Sequence, residues 1–353
     1  MPLIDSLTDK LRSHPKRLVF PDGDDPRILQ AARQYVRLDL GVPILLGDRT
    51  RIKTNALSLN IRTEGMRLLE PGRSDSVDAF VYQLADNPRY AQLDRDALRR
   101  EVCDPNTFAC CMLLTGQASG MVSGATERAS SALRPLLRIM PRQPGVNTLS
   151  SLQILDFEDP RVTHHKTFFL ADCAVLPEPT AEQLADIAIT TASLSFHLTN
   201  LQPKVALLSY TTGADPEKAP ASIQRIQAAT RLARQAAHDL KLDLAIEGDV
   251  QVDAALDPVI AEAKGPKGPV GGEANVLIFP DLHSANIGVK LVQMLAGCRT
   301  YGPILTGLEH PAAEISRGAS AHDIFGTAVM VGCQSMDHTL LFPRGSTTPF
   351  PAS

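Results

Sequence analysis

The chain of 353 residues has no surplus of positive charge: 35 Lys and Arg stand against 39 Asp and Glu, a formal charge of −4. Binding to nucleic acid through counterion release needs a basic surplus, so no nucleic-acid partner is expected. No apolar run approaches the roughly 18–20 residues that span a bilayer, so no membrane partner is expected either. The opening Met1-Pro2-Leu3-Ile4-Asp5-Ser6 carries charge early and lacks the apolar core of a signal peptide. The six cysteines (Cys103, Cys110, Cys111, Cys173, Cys298 and Cys333) contain no CxxC pair, and a chain this long needs no disulfide scaffold. They read as buried thiols of a cytoplasmic protein. The nine histidines show no HExxH or other metal-ligand spacing, and the adjacent His164 and His165 would point to opposite faces of a strand. A metal site is therefore not expected. Neither GxGxxG nor GxxxxGK[ST] occurs, which leaves a Rossmann dehydrogenase or a P-loop NTPase without its fingerprint.

What is present is globular: 44% hydrophobic and 21% charged residues, at a length that allows one large or two medium domains. Short apolar runs alternate with helical patterns. Arg17-Leu18-Val19-Phe20 reads as a strand stopped by Pro21-Asp22-Gly23, with Asp24 or Asp25 as the cap and Pro26 in the first turn of the next helix. Strands alternating with single helices imply βαβ units, hence an α/β fold with mainly parallel sheets. The pattern restarts after Pro141-Arg142-Gln143-Pro144-Gly145. Residues 1–145 together with 292–353 are expected to form one α/β domain, and residues 146–291 the other. The Pro-rich tail from Pro343 is expected to fray.

In parallel sheets ligands sit beyond the carboxyl ends of the strands. The loops there are Pro21 to Asp24, Ser123-Gly124-Ala125-Thr126, Ser209-Tyr210-Thr211-Thr212-Gly213, Pro280 to Asn286 and Ser316-Arg317-Gly318. Small hydroxyl residues, glycines and helix starts recur in them, and backbone N–H groups at a helix start suit an anion. Each loop alone is also an ordinary turn and cap. Asp323 lies seven residues beyond Ser316, at the start of an expected helix. Ser316 or Ser320 could cap that helix with Asp323 answering its dipole, or Asp323 could be a base beside a hydroxyl and a guanidinium. Arg134 falls amid Leu133, Leu136 and Leu137, and an arginine on an apolar face needs a carboxylate or a bound phosphate as partner.

Taken together the segments resemble the phosphate acetyl/butyryl transferase family. The resemblance rests on Val19-Phe20-Pro21-Asp22-Gly23-Asp24-Asp25-Pro26-Arg27, Met121-Val122-Ser123-Gly124-Ala125, Leu133-Arg134-Pro135 and Ala171-Asp172-Cys173-Ala174-Val175. It continues through Val276-Leu277-Ile278-Phe279-Pro280-Asp281-Leu282, Asn286-Ile287-Gly288, Gly302-Pro303-Ile304-Leu305 and Ser316-Arg317-Gly318, in order from about residue 15 to 335. It implies two α/β domains with the active site in the cleft between them, as a homodimer. It also implies a reversible transfer, acetyl-CoA plus phosphate giving acetyl phosphate plus CoA. Coenzyme A and acetyl-CoA enter as substrates, with no prosthetic group and no metal.

Carried over by motif, the catalytic residues are Ser316, Arg317, Asp323 and Arg134. The expected substrate-binding residues are Ser123, Gly124, Ser209, Tyr210, Thr211, Ser284, Asn286 and Arg89. Arg89 is the residue nearest to an upstream family arginine, one position out of register. The chain departs from the family pattern at Thr126-Glu127-Arg128-Ala129, where Val-His-Thr-Thr is usual, at Ala285, and at Thr212 to Glu217. A glutamate at an anion site repels phosphate unless a cation pairs with it. Three alternatives stay open: a transferase for a longer acyl group such as butyryl, a weakened homologue that binds CoA or an acyl phosphate, and a metal-dependent decarboxylating dehydrogenase using Asp249 and Asp253.

Overall fold

The alternation of strands and helices builds two units in a computed structural model that describes residues 3–157, 167–265 and 268–336. Unit 1 comprises Met1–Gln143 and Leu308–Met336, and unit 2 comprises Pro144–Gly307. His164, His165 and the tail from Pro343 lie outside the described residues.

The strands in chain order are β1 (Lys16–Phe20), β2 (Gly41–Leu46), β3 (Arg67–Leu69), β4 (Gly120–Ser123), β5 (Ser150–Asp156) and β6 (Thr167–Ala171), then β7 (Lys204–Leu208), β8 (Ala245–Val250), β9 (Val276–Ile278), β10 (Arg299–Thr306) and β11 (Ala312–Glu314). The helices are α1 (Leu3–Arg12), α2 (Pro26–Arg37), α3 (Arg49–Ser58), α4 (Val77–Ala85), α5 (Arg95–Cys103), α6 (Pro105–Leu114) and α7 (Ala129–Ile139), then α8 (Ala181–Thr199), α9 (Ala221–Asp239), α10 (Val252–Leu256), α11 (Pro258–Lys264), α12 (Leu282–Ala296) and α13 (Ala321–Gln334).

In unit 1 the strand order is β3-β2-β1-β4-β11, and the pairs are parallel. The inner strands read as unbroken apolar runs because helices cover both faces of such a sheet; Leu18, Val19, Phe20, Met121 and Val122 are fully buried. The helix start after β1 carries its signal as expected, and that of α6 repeats it. Asp25 caps α2 ahead of Pro26, and Asp104 caps α6 ahead of Pro105.

In unit 2 the order is β10-β5-β6-β9-β7-β8. The pairs β6–β9, β9–β7 and β7–β8 are parallel, whereas β5 pairs antiparallel with both β6 and β10. Leu155, Leu170, Ala206, Leu208, Leu277, Ala285 and Val289 share its core.

The chain leaves unit 1 between Gln143 and Pro144, and returns at Leu308 rather than at the expected residue 292. The expected return falls inside α12, a continuous helix that buries Val289 in the unit 2 core and packs Val292 against it. β10 then stays in unit 2 because it pairs along β5 from Arg299 to Thr306. Cys110, Cys111, Cys173 and Cys333 are buried, while Cys103 and Cys298 are half-exposed. Burial raises the Cys111 and Cys333 thiols to about 12, so both stay protonated at neutral pH.

Candidate active site

The carboxyl ends of β1, β4 and β11 are neighbours in unit 1, and three loops leave from them. The first, Pro21 to Asp25, leads into α2. The second, Gly124 to Arg128, leads into α7. The third, Ile315 to Ser320, leads into α13 and carries Ser316 and Arg317. Asp323 sits in the first turn of α13. The parallel register thus brings together segments about one hundred and two hundred residues apart.

The third loop presents chemistry to solvent. Ser316 and Arg317 are exposed. The Ser316 hydroxyl accepts a hydrogen bond from the Gly318 N–H at 3.3 Å. Ser320 caps α13 in a capping box with Asp323. One Asp323 carboxylate oxygen, Oδ2, accepts from the Ser320 N–H at 2.9 Å and from its hydroxyl at 2.7 Å. The cap and a free carboxylate oxygen coexist: Oδ2 is held by the cap, which orients the carboxylate, and Oδ1 has no hydrogen-bond partner among the described residues.

The second loop differs from its expected role. Its N–H groups, which looked suited to a substrate anion, are already occupied by the chain's own Asp22. Asp22 Oδ2 accepts from Gly124 N and Ala125 N, each at 3.1 Å. Its Oδ1 accepts from Thr126 N at 3.3 Å and from the Thr126 hydroxyl. A carboxylate offers about four acceptor sites, so Asp22 is saturated. Ser123 is fully buried, and its hydroxyl has no hydrogen-bond partner among the described residues. Gly124 has φ +101°, and a Cβ there would lie 2.6 Å from the Ile315 carbonyl oxygen. Its glycine is needed for the backbone crossing rather than for ligand approach.

Arg134 also departs from expectation. It is exposed, whereas Leu133, Pro135 and Leu136 of α7 are buried. At 3.6 residues per turn, Arg134 lies about 100° around the helix from Leu133 and about 160° from Leu136. It belongs to the solvent face and needs no internal carboxylate. Arg89 is exposed and donates to the Leu137 carbonyl in the last turn of α7. The structure ties it to the end of α7 remote from the Gly124–Arg128 loop.

Glu127 is exposed and has no ion pair among the described residues. Partial desolvation, then the nearby Asp104 and Asp22 carboxylates, raise its pKa above the ordinary glutamate value. Arg128 does not neutralise it.

Sequence reasoning passed over Asp22, Asp25 and Arg27 as parts of this site, although they stand in the motif that carried the resemblance. Arg27 is paired with the buried Asp25 and spans the second and third loops. Burial opposes the charge on Asp25, but hydrogen bonds and attraction from Arg27 outweigh it and hold the carboxyl below its ordinary range.

In unit 2 the loops after β7 and β9 emerge from paired parallel strands. Ser209 and Thr211 are half-buried and their hydroxyls are 3.0 Å apart. Tyr210 is exposed. Asp281 caps α12, and the Ser284 hydroxyl donates to the Asp281 carbonyl at 2.9 Å, so Ser284 lies inside the first helical turn. Asn286, two residues further on, is exposed. Arg225 of α9 donates to the Pro280 carbonyl at 3.2 Å, and its Nε is buried without a hydrogen-bond partner. Sequence spacing offers no signal for that cation.

Asp249 and Asp253 do not form a shared ligand set. Asp249 accepts from Gln227 at 2.7 Å, while Asp253 pairs with Lys264 on α11. Among the described residues no group of three or more His, Cys, Asp or Glu side chains could hold a metal ion.

With this geometry in hand, comparison with known proteins gives consistent matches. The chain matches the family described as phosphate acetyl/butaryl transferase over residues 2–331. It is 36% identical to a phosphate acetyltransferase from Thermoanaerobacterium thermosaccharolyticum, across 95% of this chain and 100% of that protein. Its fold is similar to the solved phosphotransacetylase of Streptococcus pyogenes, with TM-score 0.85, 31% identity, and coverage of 95% of this chain and 98% of the other. A phosphotransacetylase from Staphylococcus aureus gives TM-score 0.84 and 33% identity at the same coverage.

Proposed function

The chain belongs to the phosphate acetyl/butaryl transferase family, and from that premise we propose that it is an acyltransferase that moves an acetyl group reversibly between coenzyme A and inorganic phosphate. Acetyl-CoA plus phosphate gives acetyl phosphate plus CoA. The observation that carries this reading is the match along nearly the whole chain to phosphate acetyltransferases.

The residues we assign follow from the chemistry. In the direction that consumes acetyl phosphate, the CoA thiol must lose its proton, because the thiolate is the nucleophile. Asp323 accepts that proton at Oδ1, the oxygen left outside the cap. Ser316 hydrogen-bonds the sulfur and orients it. The thiolate forms a bond to the acetyl carbonyl carbon, the carbon–oxygen bond to phosphate breaks, and phosphate leaves. Arg317, with Arg134, offsets the charge on the phosphoryl group and on the developing oxyanion. Each such preorganised donor contributes about 3–4 kcal/mol. Because Asp22 fills the Gly124–Thr126 amides, side-chain cations rather than that loop's N–H groups hold the phosphate. In unit 2, Ser209, Tyr210, Thr211, Ser284 and Asn286 are the residues we assign to substrate binding.

The deciding measurement is phosphate-dependent thiol release from acetyl-CoA, without added metal, for the native chain, Ser316→Ala and Asp323→Asn. Release that falls about 10²-fold or more in both variants, with CoA affinity kept, is the expected result. Unchanged turnover in Asp323→Asn would remove its role as base. Release from butyryl-CoA in preference to acetyl-CoA would reassign the acyl group. CoA binding without turnover in the native chain would leave a binding role, with Glu127 as the first suspect.

We place the enzyme in the cytoplasm and as a homodimer. No helix among the described residues is long and apolar enough to cross a membrane. Support for self-association comes from α12, whose outer face exposes Ile287, Leu291, Met294 and Leu295. Their i, i+4, i+7, i+8 spacing makes one continuous apolar stripe.

A further inference from the structure

We propose that Arg27 is a positioning residue of this active site: its guanidinium is a strut that sets the spacing between the loop that starts α7 and the loop that carries Ser316 and Arg317. The inference rests on the reaction assigned above.

The argument is a count of donors. A guanidinium has five N–H groups in a rigid planar fork and no acceptor. All five of Arg27 meet oxygens of this chain. Nε donates to Asp25 Oδ1 at 3.1 Å, and Nη2 donates to Asp25 Oδ2 at 2.8 Å. The second Nη2 hydrogen goes to the Ala125 carbonyl at 2.7 Å. The two Nη1 hydrogens go to the carbonyls of Arg317, at 2.6 Å, and Ala319, at 3.0 Å. No N–H remains for a phosphate or a CoA oxygen. An arginine beside an anion site would ordinarily be read as a ligand, but this one is fully engaged.

Its partners decide what it does. Ala125 lies in the loop leading to α7, and Arg317 and Ala319 flank Gly318 in the loop leading to α13. The contacts are to backbone carbonyls, so they hold the path of the chain rather than any one side chain. Asp25 fixes the fork in plane: its carboxylate takes a bidentate pair while Oδ1 also accepts the Arg27 N–H at 2.8 Å. The same turn holds the second loop a second time, through the four bonds that saturate Asp22. The β1–α2 turn is thus the common anchor of both loops. The reacting geometry needs Ser316, Arg317 and Arg134 in register, and a misplacement of about 1 Å at a catalytic group costs about 10²-fold in rate.

The test compares the native chain with Arg27→Ala and Arg27→Lys in steady-state thiol release, melting temperature and backbone amide hydrogen exchange over residues 124–128 and 316–320. The expected result for Arg27→Ala is a kcat lower by about 10- to 100-fold, KM for acetyl-CoA and phosphate within about threefold, and faster exchange at Gly318 and Ala319. Added guanidinium at low concentration restores part of the rate. Arg27→Lys keeps the charge but has one nitrogen in place of three, so it loses rate in the same direction. It carries the test alone if Arg27→Ala does not fold. A raised KM at unchanged kcat would make Arg27 a substrate ligand and overturn the proposal, as would unchanged kcat and exchange in both variants. If the native chain releases no thiol, the assigned reaction fails and the exchange measurement decides: faster exchange at Gly318 and Ala319 supports the strut, and unchanged exchange ends it.

Discussion

At the scale of single residues, carboxylates decide how this site is charged. Asp25 is held below the ordinary Asp value of 3.8 because Arg27 outweighs the cost of its burial. A depressed folded-state pKa adds stability that is present above the ordinary value and is lost as pH falls through the folded one. Asp25→Asn keeps an oxygen to cap α2 but removes the charge. Its melting temperature is expected to lie below the native one by a constant gap above pH 5, closing below about pH 4; a gap unchanged at pH 3 would sever the link to ionisation. Glu127 shows the opposite sign. Desolvation, Asp104 and Asp22 raise its pKa, so its charge opposes the folded state at neutral pH and does so less in acid. Glu127→Gln is expected to lower KM for phosphate several-fold at low ionic strength, with the difference shrinking in salt. Equal KM values at low salt would place Glu127 outside the field of the phosphate. The identity of these residues is plain in the sequence, but their partners are not: Gly124 lies 102 positions from Asp22.

At the scale of elements, the signals that fix a helix are local. The capped helix after Phe20 and the α13 cap follow from residue types one to three positions apart. Ser320→Ala is expected to destabilise the protein by about 1 kcal/mol and to lower kcat, because Asp323 Oδ2 loses the hydroxyl that donates to it and keeps only the backbone N–H of residue 320, while the Asp323 N–H loses its acceptor. Ser320→Thr should restore both quantities, and a native kcat in Ser320→Ala would separate the cap from the chemistry. What periodicity did not settle was which way a helix faces. Arg134 sits between buried leucines in the sequence and is nevertheless exposed, because the buried stripe of α7 runs through positions 132, 133, 135, 136 and 139. Neighbours along the chain are not neighbours around a helix.

At the scale of the whole molecule, the path of the chain follows from pairing. Among the described residues unit 2 is one continuous insertion into unit 1, and its return point is set by β10 pairing along β5. The apolar stripe of α12 is argued at this scale as well. If two copies meet there, Leu291→Asp together with Met294→Glu is expected to give a monomer in sedimentation equilibrium. A dimer that survives both changes would move the interface elsewhere.

By itself, the sequence determined the alternation of strands and helices, the loops that end the strands, the loop that carries Ser316 and Arg317, and the family. Each of these is encoded locally, in apolar periodicity, in cap and turn residues, or in a short contiguous motif. Only the tertiary structure decided that Asp22 already fills the amides of the Gly124–Thr126 loop, that Arg27 has all five donors engaged, three of them on carbonyls of two loops, and that unit 1 resumes at Leu308. Those facts depend on which side chains and backbone groups meet across as many as 292 positions, and hydrogen bonds formed over such separations leave no periodic trace in the residues that make them.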